Sequence, residues 1–190
     1  MNRKRIYIWL MIWCMGAGCV LMPGRSYAVS ETYAATVEYQ VKAAFIHNFA
    51  KFVNWPEDTF ENDSSPIRVG IVGRGKIDEA LIALDGKKIN NRHFSVSRVR
   101  HLKFASGYHM IFINPARKST TRAILNRLKG LGILTIGDQK GFAEQGGAIN
   151  FYLQEGKVRF EINIDAARRE HLKVSSKLLR LARIVSSENP

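Results

Sequence analysis

Four groups of residues in this chain have types and spacings that could do chemistry. The first is Gly70-Ile71-Val72-Gly73-Arg74-Gly75, between an apolar run and a helical pattern. A glycine-rich turn there can cradle phosphate, because backbone N–H groups and a helix N-terminus attract anions. The spacing fits neither G-x-G-x-x-G nor the P-loop, which ends in Lys-Ser/Thr. No acid closes the next strand, where Ser97-Arg98-Val99-Arg100 is basic. The glycines read better as a tight strand-to-helix turn, and no cofactor is expected.

The second group is the five histidines, His47, His93, His101, His109 and His171. None forms an H-x-x-x-H or H-E-x-x-H pair, so no metal site is expected. The third is the acid pair Glu57-Asp58, in a polar loop with no apolar pocket to raise one pKa. The fourth is Asp138, which follows a buried strand where α/β enzymes often place an acid. Standing before Gln139-Lys140-Gly141, it reads better as a turn residue. There is no G-x-S-x-G elbow. No catalytic set emerges, and the chain is expected not to be an enzyme.

Periodicity gives the elements that position these residues. Val37 to Val53 is helical and carries two apolar stripes. Val37, Val41, Ala44, Phe45 and Phe52 form one; Tyr39, Ala43, Ile46, Ala50 and Val53 form the other. Trp55-Pro56 ends it, because a residue before proline disfavours helix. Strands are expected over 67–72, 94–99, 110–113 and 133–136, with helices over 77–84 and 120–131, the latter turning Ile124, Leu128 and Leu131 to the core. A hairpin of 148–153 with 157–164 turns at Glu155-Gly156. A short helix starts near Asp165. Another, capped by Ser175 or Ser176, runs through Leu178, Leu179, Leu181, Ala182 and Ile184. The expected fold is a layered α/β domain, a mostly parallel sheet flanked by helices with a late antiparallel hairpin.

The first 28 residues read as a leader. Arg3, Lys4 and Arg5 precede an uncharged run from Ile6 to Met22, then Pro23-Gly24, then Ser26-Tyr27-Ala28. That layout suits a secretory signal cleaved after Ala28; an uncleaved anchor is the alternative. The expected organisation is signal peptide 1–28, lead-in 29–36, α/β domain 37–186 and tail 187–190. Cys14 and Cys19, the only cysteines, fall in the leader. The exported domain then has no disulfide, thiolate or cysteine-metal chemistry.

Charge carries the next inference. The whole chain has 29 Lys+Arg against 16 Asp+Glu, a net charge of +13. The leader contributes four basic residues and no acids, which leaves +9. Residues 101–190 hold 15 basic and 7 acidic residues, so eight of those nine charges lie in the second half. Lys118, Arg122, Lys129, Lys177 and Arg180 are expected on a basic surface. Base stacking needs aromatics among the cations, and these two basic helices contain none. Nucleic acid is set aside in favour of an acidic partner or a membrane surface. The doubly apolar helix points to a homodimer or partner interface through Tyr39, Ile46 and Val53.

Several segments together resemble the YfiR family of periplasmic regulators. Glu38-Tyr39-Gln40-Val41-Lys42-Ala43-Ala44-Phe45, Asn48-Phe49-Ala50-Lys51-Phe52-Val53 and Trp55-Pro56 resemble its opening signature. Leu134-Thr135-Ile136-Gly137-Asp138, Gly141-Phe142-Ala143, Gly146-Gly147-Ala148-Ile149-Asn150-Phe151 and Val158-Arg159-Phe160-Glu161-Ile162-Asn163 continue it. The run from Leu172 to Ala182 closes it. The resemblance implies a periplasmic α/β protein, often dimeric, that represses an inner-membrane diguanylate cyclase and so limits cyclic-di-GMP, exopolysaccharide and biofilm. Relatives commonly carry a Cys before the His of the buried strand. Tyr108 stands before His109 here, so redox control through that thiol is not open to this chain. The rival expectation is a periplasmic small-molecule sensor with its cleft at the carboxyl ends of the strands, near Gly73 and Asp138.

Overall fold

The computed structural model describes residues 26–187, and all but the last three residues of the expected leader lie outside them. The chain divides into two compact units, Met1–Ala34 and Ala35–Pro190. The second unit carries the sheet.

Helix α1 spans Ser26–Phe52. It starts well before Val37, so the expected lead-in 29–36 is helical. Ala28, Ala34 and Ala35 explain this, since alanine has the highest helix propensity. The helix stops three residues before Trp55-Pro56, and Val53–Asn54 forms a short strand, β1.

The main sheet is built from β2 (Ile67–Gly73), β3 (Lys88–Ile89), β4 (Arg92–Arg98), β5 (Met110–Asn114), β6 (Leu134–Gly137), β7 (Ile149–Gln154), β8 (Lys157–Asn163) and β10 (Arg183–Val185). Their order is β10-β8-β7-β6-β5-β2-β4-β3. The interior strands run parallel, as Val69↔Met110 and Met110↔Leu134 show. Strands β7 and β8 form the antiparallel hairpin, with Phe151 opposite Phe160. Glu155 and Gly156 sit at φ 51° and 71°. Positive φ at both central residues is the two-residue turn that matches strand twist.

Core residues cover both faces of the sheet. On the α1 side, Ile46 and Phe49 are fully buried. Phe49 lies 5.1 Å from Phe160 and 5.6 Å from Phe151. A second cluster gathers Ile111, Ile113, Leu125, Leu128 and Phe142. Strand β6 is buried at every position, so its sequence does not alternate with exposed polar residues; its one hydroxyl, on Thr135, accepts the Ala148 N–H at 3.0 Å. Phe142 is clasped between two glycines: a Cβ on Gly147 or Gly137 would fall 2.1 or 2.6 Å from its ring.

Helix α2 is Asp78–Ile82, α3 Thr121–Leu128, α4 Ile164–Arg169 and α5 Ser176–Leu179. Two expectations need correction. Helix α3 stops at Leu128, so it buries Leu125 and Leu128, and Leu131 is 39% exposed. The turn beyond it uses Gly130 and Gly132 at positive φ, which ends a helix at little cost. Ser175 does cap the last helix, accepting from the Leu178 N–H. That helix ends at Leu179, and Ile184 lies in the edge strand β10, which runs parallel to β8.

Candidate functional site

The expected cleft near Gly73 and Asp138 is occupied by the protein's own groups. A Cβ on Gly73 would fall 1.7 Å from the Asn114 carbonyl oxygen. The glycines thus let the turn press on β5 and leave no cradle for phosphate. Asp138 accepts from Lys42 Nζ at 3.0 Å, and Glu38 takes the same ammonium at 2.6 Å. Burial works against the Lys42 charge, yet the hydrogen bond to Glu38 and the Asp138 charge outweigh it and raise its pKa. Among the described residues no group of three or more His, Cys, Asp or Glu could hold a metal ion.

A groove of about 1400 Å³ opens instead at the amino ends of the strands. Its buried floor is Val53, Ile67, Ile89 and Leu172. Trp55 and Phe60 add aromatic surface, their rings 6.2 Å apart edge to face. Exposed polar side chains segregate around it: the cations Arg168 and Lys173, with His171, come from residues 168–173, and the acids Glu57 and Asp63 from the loop of residues 57–66.

Local structure explains how these residues meet. Strand β9 (Lys173–Val174) pairs antiparallel with β1, Val53 opposite Val174. The Ser175 N–H adds a 2.8 Å bond to the Phe52 carbonyl. This small ribbon draws Trp55-Pro56 beside Leu172-Lys173. Across the groove, Arg92 Nη1 donates to the carbonyls of Asn62 at 2.6 Å and Ser65 at 2.9 Å. Its guanidinium lies 3.9 Å over the Phe60 ring.

Backbone strain also gathers here. Asn90 and His171 both line the groove and both hold positive φ, 51° and 57°. A non-glycine residue there costs about 1 kcal/mol. Held strain of this kind marks sites where side-chain placement matters more than local comfort.

The expected interface residues fare differently. Ile46 is 0% exposed and Val53 2%. They pack inside this chain and offer nothing to a partner; Tyr39 is half-buried against the same core. Of the other stripe, Val37 and Val41 are 41% and 38% exposed, while Phe45 and Phe52 pack against the same core. Both stripes look alike in sequence, and only the position of the sheet decides between them. Of the basic surface, Arg122, Lys129, Lys177 and Arg180 are exposed. The Lys118 side chain lies outside the described residues. Sequence reasoning missed the groove because its residues come from five separate segments; the nearest signals were Trp55-Pro56 and Leu172-Lys173.

No helix among the described residues is long and apolar enough to cross a membrane. A family model described as YfiR/HmsC-like matches residues 39–183. The curated proteins contain no match. Among solved structures, a conserved domain protein from Vibrio cholerae O1 biovar eltor aligns with TM-score 0.55 at 12% identity. The alignment covers 77% of this chain and 59% of that one, and at that identity it concerns the fold alone. An ABC domain from Streptococcus pneumonia, in complex with L-Trp, reaches TM-score 0.43 at 8% identity over 62% of this chain and 55% of that one; nothing is drawn from it.

Proposed function

The chain belongs to the YfiR/HmsC-like family, and from that membership we propose that it is a non-catalytic repressor of an inner-membrane diguanylate cyclase. The family is one of periplasmic regulators of diguanylate cyclases. In this reading the chain binds the cyclase's periplasmic part and lowers cyclic-di-GMP output, and with it exopolysaccharide and biofilm.

One observation carries the reading to a surface. Trp55-Pro56 and Leu172-Lys173, from opposite ends of the matched region, line a single groove. A buried apolar floor with aromatic anchors inside a charged rim is the anatomy of a protein-binding patch. The exposed Arg122, Lys129, Lys177 and Arg180 would turn toward acidic groups of the partner or toward lipid headgroups. A homodimer through α1 would use Val37 and Val41 in place of the expected Ile46 and Val53.

The test is co-purification with an inner-membrane diguanylate cyclase. Capture should be lost when the cyclase's periplasmic part is deleted. Equal capture without that part would overturn the reading. The groove volume also favours the second reading, a small-molecule sensor. Saturable thermal stabilisation of the chain by a soluble metabolite would support it.

A further inference from the structure

The loop of residues 57–66 supplies Glu57, Phe60 and Asp63 to the groove. It leans on one buried imidazole. His109 is 5% exposed and opens β5. Its Nδ1 accepts the Arg68 main-chain N–H at 2.8 Å. A ring nitrogen that accepts carries no proton, so the ring is neutral with its hydrogen on Nε2. The Thr59 main chain, in the loop, lies beside the ring and favours a proton on it. The ring also stacks on Phe60, centroids 4.5 Å apart. One side chain thus joins the sheet, through its bond to Arg68, to the wall of the groove, through its stack on Phe60.

We propose that His109 is an acid-sensitive latch, and that its protonation frees residues 57–66 from the sheet and reshapes the groove. An imidazolium has two donors and no acceptor. It cannot keep the Arg68 N–H, which would then face another N–H. The surroundings oppose a positive ring in the closed form. Arg68 on β2 and Arg92 on β4 both oppose a positive ring, and burial opposes it more. Glu61, from the loop, is the one acid lining the small cavity beside the ring. The Thr59 main chain works the other way, favouring the charged form. The balance pushes the pKa down to about 4. That cavity, about 40 Å³, has room for a water that could deliver the proton.

The sign follows from the shift. The closed form is fully favoured above the ordinary histidine pKa of about 6.5. Its advantage falls as pH drops from there through about 4, because the open loop takes up the proton that the closed one refuses. The functional weight of the latch rests on the groove being the partner-facing site.

The test is an NMR titration of the full chain from pH 7 to 3.5. The His109 ring carbons and the amides of residues 57–66 should shift together with one midpoint, above the closed form's value of about 4 and below the ordinary histidine value of about 6.5. Amides of β2, β5 and β6 should keep their dispersion. In His109→Gln, whose amide accepts and donates without titrating, the loop amides should keep only the smaller shifts that their own carboxyls Glu57, Asp58, Glu61 and Asp63 cause. Loop amides that stay fixed while His109 titrates would overturn the latch. So would loop shifts of undiminished size in the variant, or a simultaneous collapse of the whole sheet. If the variant does not fold, the shared midpoint in the wild type decides alone. Loop release is read on the chain by itself, so it stands or falls apart from capture of a cyclase.

Discussion

Lys42 reaches Asp138 at 3.0 Å and thereby ties helix α1 to the carboxyl end of β6. The Lys42 side chain is only 6% exposed, so its charge depends on Asp138 and Glu38 for solvation. Lys42→Met would leave two carboxylates facing each other without their cation, at a cost of about 3 kcal/mol. Asp138→Asn keeps an acceptor and should cost about 1 kcal/mol. Urea unfolding at pH 7 should rank wild type above Asp138→Asn above Lys42→Met. Equal midpoints would mean the pair carries no stability.

Ile46 and Val41 separate the two stripes of α1. Ile46→Glu puts a charge in a fully buried site and should cost about 4 kcal/mol or more. Val41→Glu falls on an exposed position of the other stripe and should change stability by about 0.5 kcal/mol or less. Circular dichroism melts distinguish them: the first variant unfolds, the second melts like wild type. A folded, monomeric Ile46→Glu would place that residue on a surface after all.

Glu161 should govern the sheet edge. It is 1% exposed, takes Asn150 Nδ2 at 2.9 Å and pairs with Arg183 on β10. Glu161→Ala leaves the buried Asn150 Nδ2 without its acceptor and should cost about 2 kcal/mol, while Arg183, 57% exposed, turns to solvent. Amide exchange at residues 183–185 should accelerate more than exchange in β5. A uniform acceleration would place the effect in the core.

Glu170 closes the turn after α3. Its two oxygens accept the N–H groups of Gly130 at 3.0 Å and Gly132 at 3.1 Å. Glu170→Ala leaves both donors unpaired and should cost about 2 kcal/mol. Glu170→Gln keeps one acceptor and should recover about half of the loss. Thermal melts of the two variants check the order.

Much of the fold follows from local patterning. The run 133–136, apolar but for Thr135, reads as a buried strand, and alternation in 157–163 with Glu155-Gly156 reads as the hairpin, because each signal is set by neighbours in sequence. The last helix fails as an expectation for the opposite reason. Leu181 and Ile184 have helical spacing, but Glu161 and the open edge of β8 draw Arg183–Val185 into the sheet. A contact twenty residues away overrides local propensity. The candidate site shows the same limit more strongly. Lys42 sits among alanines and reads as a solvated lysine until Asp138 is seen beside it. The motifs Trp55-Pro56 and Leu172-Lys173 carry the family resemblance, but only the β1–β9 ribbon reveals that they meet.

Repression through the groove is tested most directly with the cyclase reconstituted in vesicles, its periplasmic part facing the added chain. The account predicts that the wild-type chain lowers cyclic-di-GMP synthesis. It also predicts that Arg168→Glu/Lys173→Glu, which reverses two exposed charges at the groove without touching the core, loses at least most of that effect while melting like wild type. Equal repression by the two proteins, or none by the wild type, would contradict it.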